Sequence, residues 1–446
     1  MSSNTGMEGA ENFNPPEATG LAVAAGFYFS FRIAIELFSV RILGTDARTG
    51  AEITLVLDLL LLLLACFHSL GYANRTFGSM LRLSSVRWVL AFLVFSCCSL
   101  TWSGTVSLAT STAYWCGMAA DVAIVVLLLR AGSVTGVSHS LMKGFIVSAC
   151  CIALIAWIMP AQSDLRLGDG EFFNKNQIGN LCAFAIFLAQ YLMCRKEGKW
   201  GLAILFLALT LLRSLSKTTL VAFMLSESFL LIQDRSISRK TKILLTTAVI
   251  LVILVFWGLF EAYYDIYTTA GNQAETLTGR TAIWAYVLNT ALERPWIGHG
   301  FDAMWKVIPP FGSDQFEARH AENELLQQFY AYGVAGICLL IGLYSSLYRQ
   351  IRRLPRSPLK LVFLSILLFV VIRGLAEAEP FDLLLPLWSI VLISLLVEHA
   401  SARDADSLAR RTGAIYLDTL PQIEKINSSM FVSRELLCGK TELPIH

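Results

Sequence analysis

Twelve mostly apolar stretches dominate this chain, at about 21–43, 53–71, 88–103, 112–130, 141–160, 176–194, 200–213, 218–233, 243–262, 325–348, 359–378 and 381–398. A helix needs about twenty such residues to cross the hydrocarbon core of a bilayer. Runs such as Leu59–Phe67 and Ala248–Phe260 contain no charge at all. Only 15% of the 446 residues are charged and 55% are hydrophobic, whereas soluble domains run near a quarter charged. The sequence therefore predicts an all-α polytopic membrane protein of about twelve spans. Arg32 and Glu36 interrupt the first stretch, four residues apart, and are expected to pair. The seventh and eighth are short and separated only by Ser214–Lys217.

Basic residues orient the chain, because cytoplasmic loops carry an excess of Lys and Arg. With the N-terminus inside, 23 of the 35 Lys and Arg fall on the cytoplasmic side and nine on the other, with Arg32, Arg41 and Arg373 inside spans. Both termini are then cytoplasmic. The expected layout is a tail over 1–20, a transmembrane domain over 21–398 and a second tail over 399–446. The first twenty residues lack the basic-then-apolar order of a cleaved signal peptide. A net charge of +2 provides no basic surface for nucleic acid. Cysteines such as Cys97, Cys98, Cys150, Cys151 and Cys182 lie within apolar stretches as small hydrophobes, with no metal-binding spacing.

This orientation puts the one long loop, 262–324, outside the cytoplasm. Long loops in compact proteins are usually functional or disordered, and this one is patterned. Ile283, Trp284, Val287, Leu288 and Ala291 share one helical face. Thr278 is the expected N-cap, and Pro295, Gly298 and Gly300 stop the helix. A second helix is expected to begin near Ala318 and run into the tenth span, placing His320, Asn323 and Glu324 on one side of it. The loop thus reads as a folded helical cap.

Several residues in and near the loop can carry chemistry. Arg280, at the start of its first helix, combines a guanidinium with a helix N-terminus, an arrangement that favours anions; taken alone, a solvated surface charge explains it as well. His320 is placed to act as a general base on a hydroxyl, although taken alone a capping or surface histidine is the favoured reading, while His299 between two glycines has a structural place in a turn. Lys175 and Asn176 open the sixth span, Arg213 and Lys217 bracket the turn between spans seven and eight, and Arg373 lies in the outer half of span eleven. Charges within a membrane are costly and mark function by default, although interfacial cations can simply snorkel. Glu377 stands one turn from Arg373 as a neutralising partner. Together these cations suit an anionic head group, pyrophosphate above all. Asp58 and Asp121 can serve a proton relay or, the favoured reading, hydrogen-bond within the bundle.

The run Gly279-Arg280, Trp284, Pro295, Gly298, Gly300-Phe301, His320, Asn323, Leu326, Gly333 and Gly336 resembles the signature region of the O-antigen ligase and exopolysaccharide polymerase family. Phe173-Asn174-Lys175-Asn176 with Gly179 is similar to the form of its exopolysaccharide branch, and Arg213-Ser214-Leu215-Ser216-Lys217 to its serine-rich basic turn. The resemblance covers roughly 170–345. Many members carry a second histidine directly before the asparagine; this chain has Glu322 there. The resemblance implies a C-type glycosyltransferase scaffold in the bacterial inner membrane, working without metal or other cofactor. The donor would be a glycan on undecaprenyl pyrophosphate, and the acceptor a sugar hydroxyl deprotonated by His320 and attacking with inversion. Arg280, with Arg213, Lys217 or Arg373, would hold the departing pyrophosphate, while Lys175, Asn176, Asn323 and Glu322 complete the binding set. The expected activity is polymerisation of lipid-linked repeat units, in contact with other polysaccharide-assembly proteins. Ligation of finished polymer to a lipid A-core acceptor is the alternative. A flippase for lipid-linked sugars is a second one, although the halves show no self-similarity of the kind transporters carry.

Overall fold

The computed structural model describes residues 16–45, 47–71, 77–160, 167–168, 173–234, 238–255, 257–258, 261, 277–303 and 320–403. Its helices are α1 (Pro16–Arg41), α2 (Ala47–Gly71), α3 (Phe77–Met80), α4 (Ser84–Ser99, extended by a 3-10 turn at Leu100–Trp102), α5 (Leu108–Ala131), α6 (Val134–Ile158), α7 (Lys175–Cys194), α8 (Gly201–Ser214), α9 (Lys217–Gln233), α10 (Arg239–Val255), α11 (Leu277–Ala291), α12 (Glu324–Arg353), α13 (Pro358–Gly374) and α14 (387–403). No strand occurs among the described residues. The chain divides into two units, 1–396 and 397–446, and the second is described only as helix through residue 403.

Each of the twelve apolar stretches is occupied by a helix, so the protein is an all-helical polytopic membrane protein. Among the described residues, seven helices (α1, α2, α4, α5, α6, α7 and α12) are long and apolar enough to cross a bilayer. Four others, α8, α9, α10 and α13, have 14 or 17 residues, a reach of about 21–26 Å. The membrane setting decides which side chains face out. On α2, Leu59, Leu60, Leu63 and Leu64 are all exposed, an arrangement stable only against lipid.

Helix packing follows the small residues. α1 lies along α6, α2 along α5, α7 along α8 and α13 along α9. Gly26 and Gly144 each meet the backbone of the opposite helix so closely that neither has room for a Cβ, the small-residue contact typical of membrane helices. A belt of aromatic rings, Phe29, Phe145 and Phe184 around Trp388, fills the bundle centre. Arg32 bonds Asp121 of α5 at 2.7 Å, whereas its spacing from Glu36 had indicated a pair along α1. Asp121 is therefore used within the bundle.

Helix α12 is broken where the sequence has Gly333, at φ +62 and ψ −153. The break leaves backbone groups that cannot bond within the helix, and the segment after α11 takes them up. Val334 and Ala335 N–H donate to the carbonyls of Pro295 and Trp296 (2.8 and 3.2 Å), while His299 and Gly300 N–H donate to Tyr330 and Ala331 (2.9 and 2.8 Å). A side chain at 333 would need a left-handed backbone and would strike Pro295 O. The loop is thus stitched into the membrane helix. His299 has the structural place expected of it, its ring stacked on Tyr330 and its Nε2 2.9 Å from Thr290 O.

Three local expectations are corrected. Helix α11 already includes Leu277, so Thr278 is its second described residue and not its N-cap. Its apolar face divides: Ile283, Val287 and Ala291 are buried against Ala303, Ala321 and Tyr330, whereas Leu288 is exposed. The second loop helix begins at Glu324 with Asn323 as N-cap, and Glu322 has φ +50. His320 and Glu322 therefore sit on a non-helical lead-in; Ala318, the expected start, lies outside the described residues. Residues 1–15 and 404–446, which make up most of the two expected tails, also lie outside those described.

Candidate active site

Five separate segments meet beside the loop: the start of α7, the α8–α9 turn, the first turn of α11, the lead-in to α12, and the segment after α13. Their local chemistry explains how each is held. Asn174 caps α7 by accepting Asn176 N–H at 3.0 Å. Leu215 takes a left-handed conformation at the end of α8, and Ser216 N-caps α9. Asn323 caps α12 by accepting Leu326 N–H (3.0 Å), and its amide donates to Leu375 O at 2.9 Å. That second bond ties the lead-in of α12 to the end of α13.

The centre of the site is Glu377, a carboxylate whose side chain is only 3% exposed. Its Oε1 accepts from Asn176 Nδ2 (2.8 Å), Thr218 Oγ1 (2.9 Å) and Arg280 Nη2 (3.2 Å). Asn176 Oδ1 in turn accepts from Ser216 Oγ at 2.8 Å. One buried carboxylate therefore joins α7, α9, α11 and the end of α13. Hydrogen bonds to a charged group are the strong ones, and a buried charge requires such partners.

Arg280 meets a second carboxylate, Glu322 Oε2, at 3.2 Å. Glu322 Oε1 lies 3.9 Å from His320 Nδ1, and Glu322 N–H donates to that same nitrogen at 3.3 Å. Trp284 Nε1 donates to the Glu322 carbonyl (3.3 Å), fixing the lead-in against α11. Burial pulls the His320 pKa below the ordinary histidine value. The charges of Glu377 and Glu379 oppose that shift, and those of Arg373 and Arg280 add to it. The shift favours the neutral form of the ring.

Arg373 is the largest fully buried side chain among the described residues, at 2% exposure. The sequence offered Glu377 as its neutraliser; the structure instead sets Glu379 Oε1 3.6 Å from its Nη1, since Glu377 is turned toward Arg280. Its Nε and Nη1 have no hydrogen-bond partner. Buried guanidinium N–H groups left without acceptors are costly.

The residues singled out in the sequence thus separate. Arg280, His320, Glu322 and Asn176 form one connected set, and Arg373 acts on the same histidine through its field. Lys217 lies between Ser216 and Thr218, both part of the network, and Lys175 adjoins Asn176 in the first turn of α7. Arg213 occupies the last turn of α8, half-buried. Asn323 serves as cap and tie, with both ends of its amide engaged. Thr218, Ser216, Glu377 as hub and Glu379 were not assigned to a site from sequence. A carboxylate pair in the otherwise apolar end of a span, Glu377 and Glu379, was the available signal. Next to the site, Trp284, Leu288, Leu325, Leu326, Phe329 and Ile337 line an open apolar groove of ≈ 380 Å³. No group of three His, Cys, Asp or Glu suited to a metal ion occurs among the described residues.

Comparison with known proteins gives the following likenesses. Residues 202–341, which include Arg280 and His320, match the family described as O-antigen ligase. The chain is 24% identical over 324 residues to the exopolysaccharide production protein ExoQ of Rhizobium meliloti, covering 66% of this chain and 73% of that protein. It is 28% identical over 102 residues to an O-antigen ligase of Pseudomonas aeruginosa, covering 23% of this chain and 25% of that one.

Proposed function

We propose that this membrane protein of the O-antigen ligase and exopolysaccharide polymerase family, a family of glycosyltransferase type, extends polysaccharide by joining lipid-linked repeat units at the periplasmic face of the bacterial inner membrane. Both termini lie in the cytoplasm in this reading, as the bias of basic residues indicates. The donor is a glycan on undecaprenyl pyrophosphate and the acceptor a sugar hydroxyl of a second glycan. The acceptor oxygen bonds to the anomeric carbon and its proton passes to His320. The bond from that carbon to the pyrophosphate oxygen breaks, the electron pair leaving with the phosphate, so the configuration inverts.

The observation that carries this reading is Arg373, buried with two unmatched N–H groups in the electrostatic reach of a histidine whose neutral form is favoured by burial. A glycosyl phosphate leaving group needs preorganised positive charge where its own charge develops, and a weakly acidic hydroxyl needs a base. Arg280, reinforced by Lys217 and Arg213, supplies further positive charge, and the cluster needs no metal for this chemistry. Lys175, Asn176 and Asn323 shape the rim. The likeness to an exopolysaccharide production protein over two thirds of the chain favours polymerisation. The match of 202–341 to the O-antigen ligase family supports ligation to lipid A-core as a second reading. Deletion of the gene separates the two. Single repeats accumulating on the lipid carrier mark a lost polymerase, whereas intact polymer lacking its final attachment marks a lost ligase.

A further inference from the structure

Arg280 Nη2 carries two carboxylates, Glu377 and Glu322, each at 3.2 Å. An incoming pyrophosphate must compete with them, since three negative groups cannot share one guanidinium edge without strong repulsion. Glu377 is held by two further donors, Asn176 and Thr218, and is 3% exposed against 15% for Glu322. Glu322 is therefore the carboxylate that yields. Its other oxygen already lies 3.9 Å from His320 Nδ1, within one side-chain rotation of a hydrogen bond.

The His320 ring needs such a partner. Its Nδ1 accepts the Glu322 N–H, which places the proton of the neutral ring on Nε2. In that tautomer Nε2 is a donor and has no lone pair for a hydroxyl proton. A ring with the proton on Nδ1 is a base at Nε2, and a carboxylate at Nδ1 both selects that tautomer and stabilises the imidazolium that follows.

We propose that Glu322 is a donor-operated switch: it lies on Arg280 until the lipid pyrophosphate takes that position, then swings to His320 Nδ1 and turns the ring into the general base. This assignment rests on the donor reading above. The proton balance closes. As the Glu322 carboxylate arrives the ring turns so that Nδ1 leaves the Glu322 N–H it accepts at rest; Nε2 loses its proton to solvent while Nδ1 takes one up and donates it to the Glu322 carboxylate. Nε2 then receives the acceptor proton as the new glycosidic bond forms and the pyrophosphate departs. The charges facing the ring are Arg280 from α11, Glu377, Glu379 and Arg373 from the end of α13 and beyond, and Glu322 of its own segment. Glu322 is the one among them that changes partner. It is a positioning residue, and chemistry remains possible, though slow, without it.

The test is steady-state kinetics of the purified protein on synthetic undecaprenyl-pyrophosphate oligosaccharide, with inorganic pyrophosphate as inhibitor, across pH 5–9. Glu322→Gln removes the competing charge and the support of Nδ1 together. The expected result is opposite movement: donor KM and the pyrophosphate Ki fall about fivefold or more, while kcat falls at least about tenfold. The acidic limb of kcat also moves to lower pH, because a neutral amide stabilises the imidazolium less. Glu322→Asp keeps its charge on Arg280 but loses reach to the ring, so kcat falls while KM and Ki hold. A Glu322→Gln protein with raised KM, or with unchanged kcat, overturns the switch. Wild-type protein that does not extend the glycan, or that extends it without inhibition by pyrophosphate, overturns the donor reading instead.

Discussion

Glu377→Ala tests whether one buried carboxylate organises the site. The substitution removes the acceptor of three hydrogen bonds, from Asn176, Thr218 and Arg280, and leaves the Arg280 guanidinium paired only with Glu322 among the carboxylates it meets. Hydrogen bonds to a charged group are worth about 1.5–3 kcal/mol each, but bonds that share one atom do not add. Because Arg280 keeps Glu322 as counter-ion, the cost is that of buried donors left without their acceptor, and a loss of about 2–3 kcal/mol is expected. Glu377→Gln retains an oxygen for Asn176 and Thr218 and forfeits only the charge, so a loss of about 1–2 kcal/mol is expected. The assay is unfolding in mixed micelles titrated with a denaturing detergent, wild type against both variants, with transfer activity measured in parallel. The ordering wild type, Gln, Ala should appear in both readouts. Glu377→Ala protein within about 0.5 kcal/mol of wild type, with transfer intact, would refute the hub.

Other outcomes follow from the same geometry. His320→Ala should abolish elongation, a loss of about 100-fold or more, with normal membrane expression measured by immunoblot. Because burial lowers the His320 pKa, the acidic limb of kcat/KM should lie below about pH 6.5; activity persists as pH falls to the lowered value and is lost on passing it. Arg373→Met deletes two buried N–H groups that lack hydrogen-bond partners but also removes the cation beside Glu379, so resting stability should change little; it should cancel the thermal stabilisation by inorganic pyrophosphate expected of wild type. Gly333→Ala forces a side chain into a left-handed backbone against Pro295 and should cost about 1–3 kcal/mol, read as faster proteolysis of the 295–303 segment.

The positions of the helices were legible because uncharged runs near twenty residues have few alternatives, and the twelve stretches and their helices coincide closely. Their termini were less so. Thr278 reads as a cap by its type, but the chain is already helical one residue earlier, and nothing local distinguishes the two starts. The helix expected to begin near Ala318 begins at Glu324 instead, because Asn323 spends its side chain on the cap and on Leu375. Arg280 and His320 were visible through motif spacing. Their surroundings were not, because Asn176, Thr218, Arg280 and Glu377 are brought together by helix packing between segments up to two hundred residues apart. The pairing of Arg373 shows the same limit: one-turn spacing selected Glu377, and the turn after α13 supplied Glu379.

The most direct test of the account is reaction of the purified protein with synthetic undecaprenyl-pyrophosphate oligosaccharide in the presence of a chelator. The account predicts longer glycans on the lipid carrier, release of free undecaprenyl pyrophosphate, and inversion at the new linkage. Movement of the lipid-linked sugar across a liposome membrane with no glycosidic bond formed would contradict it.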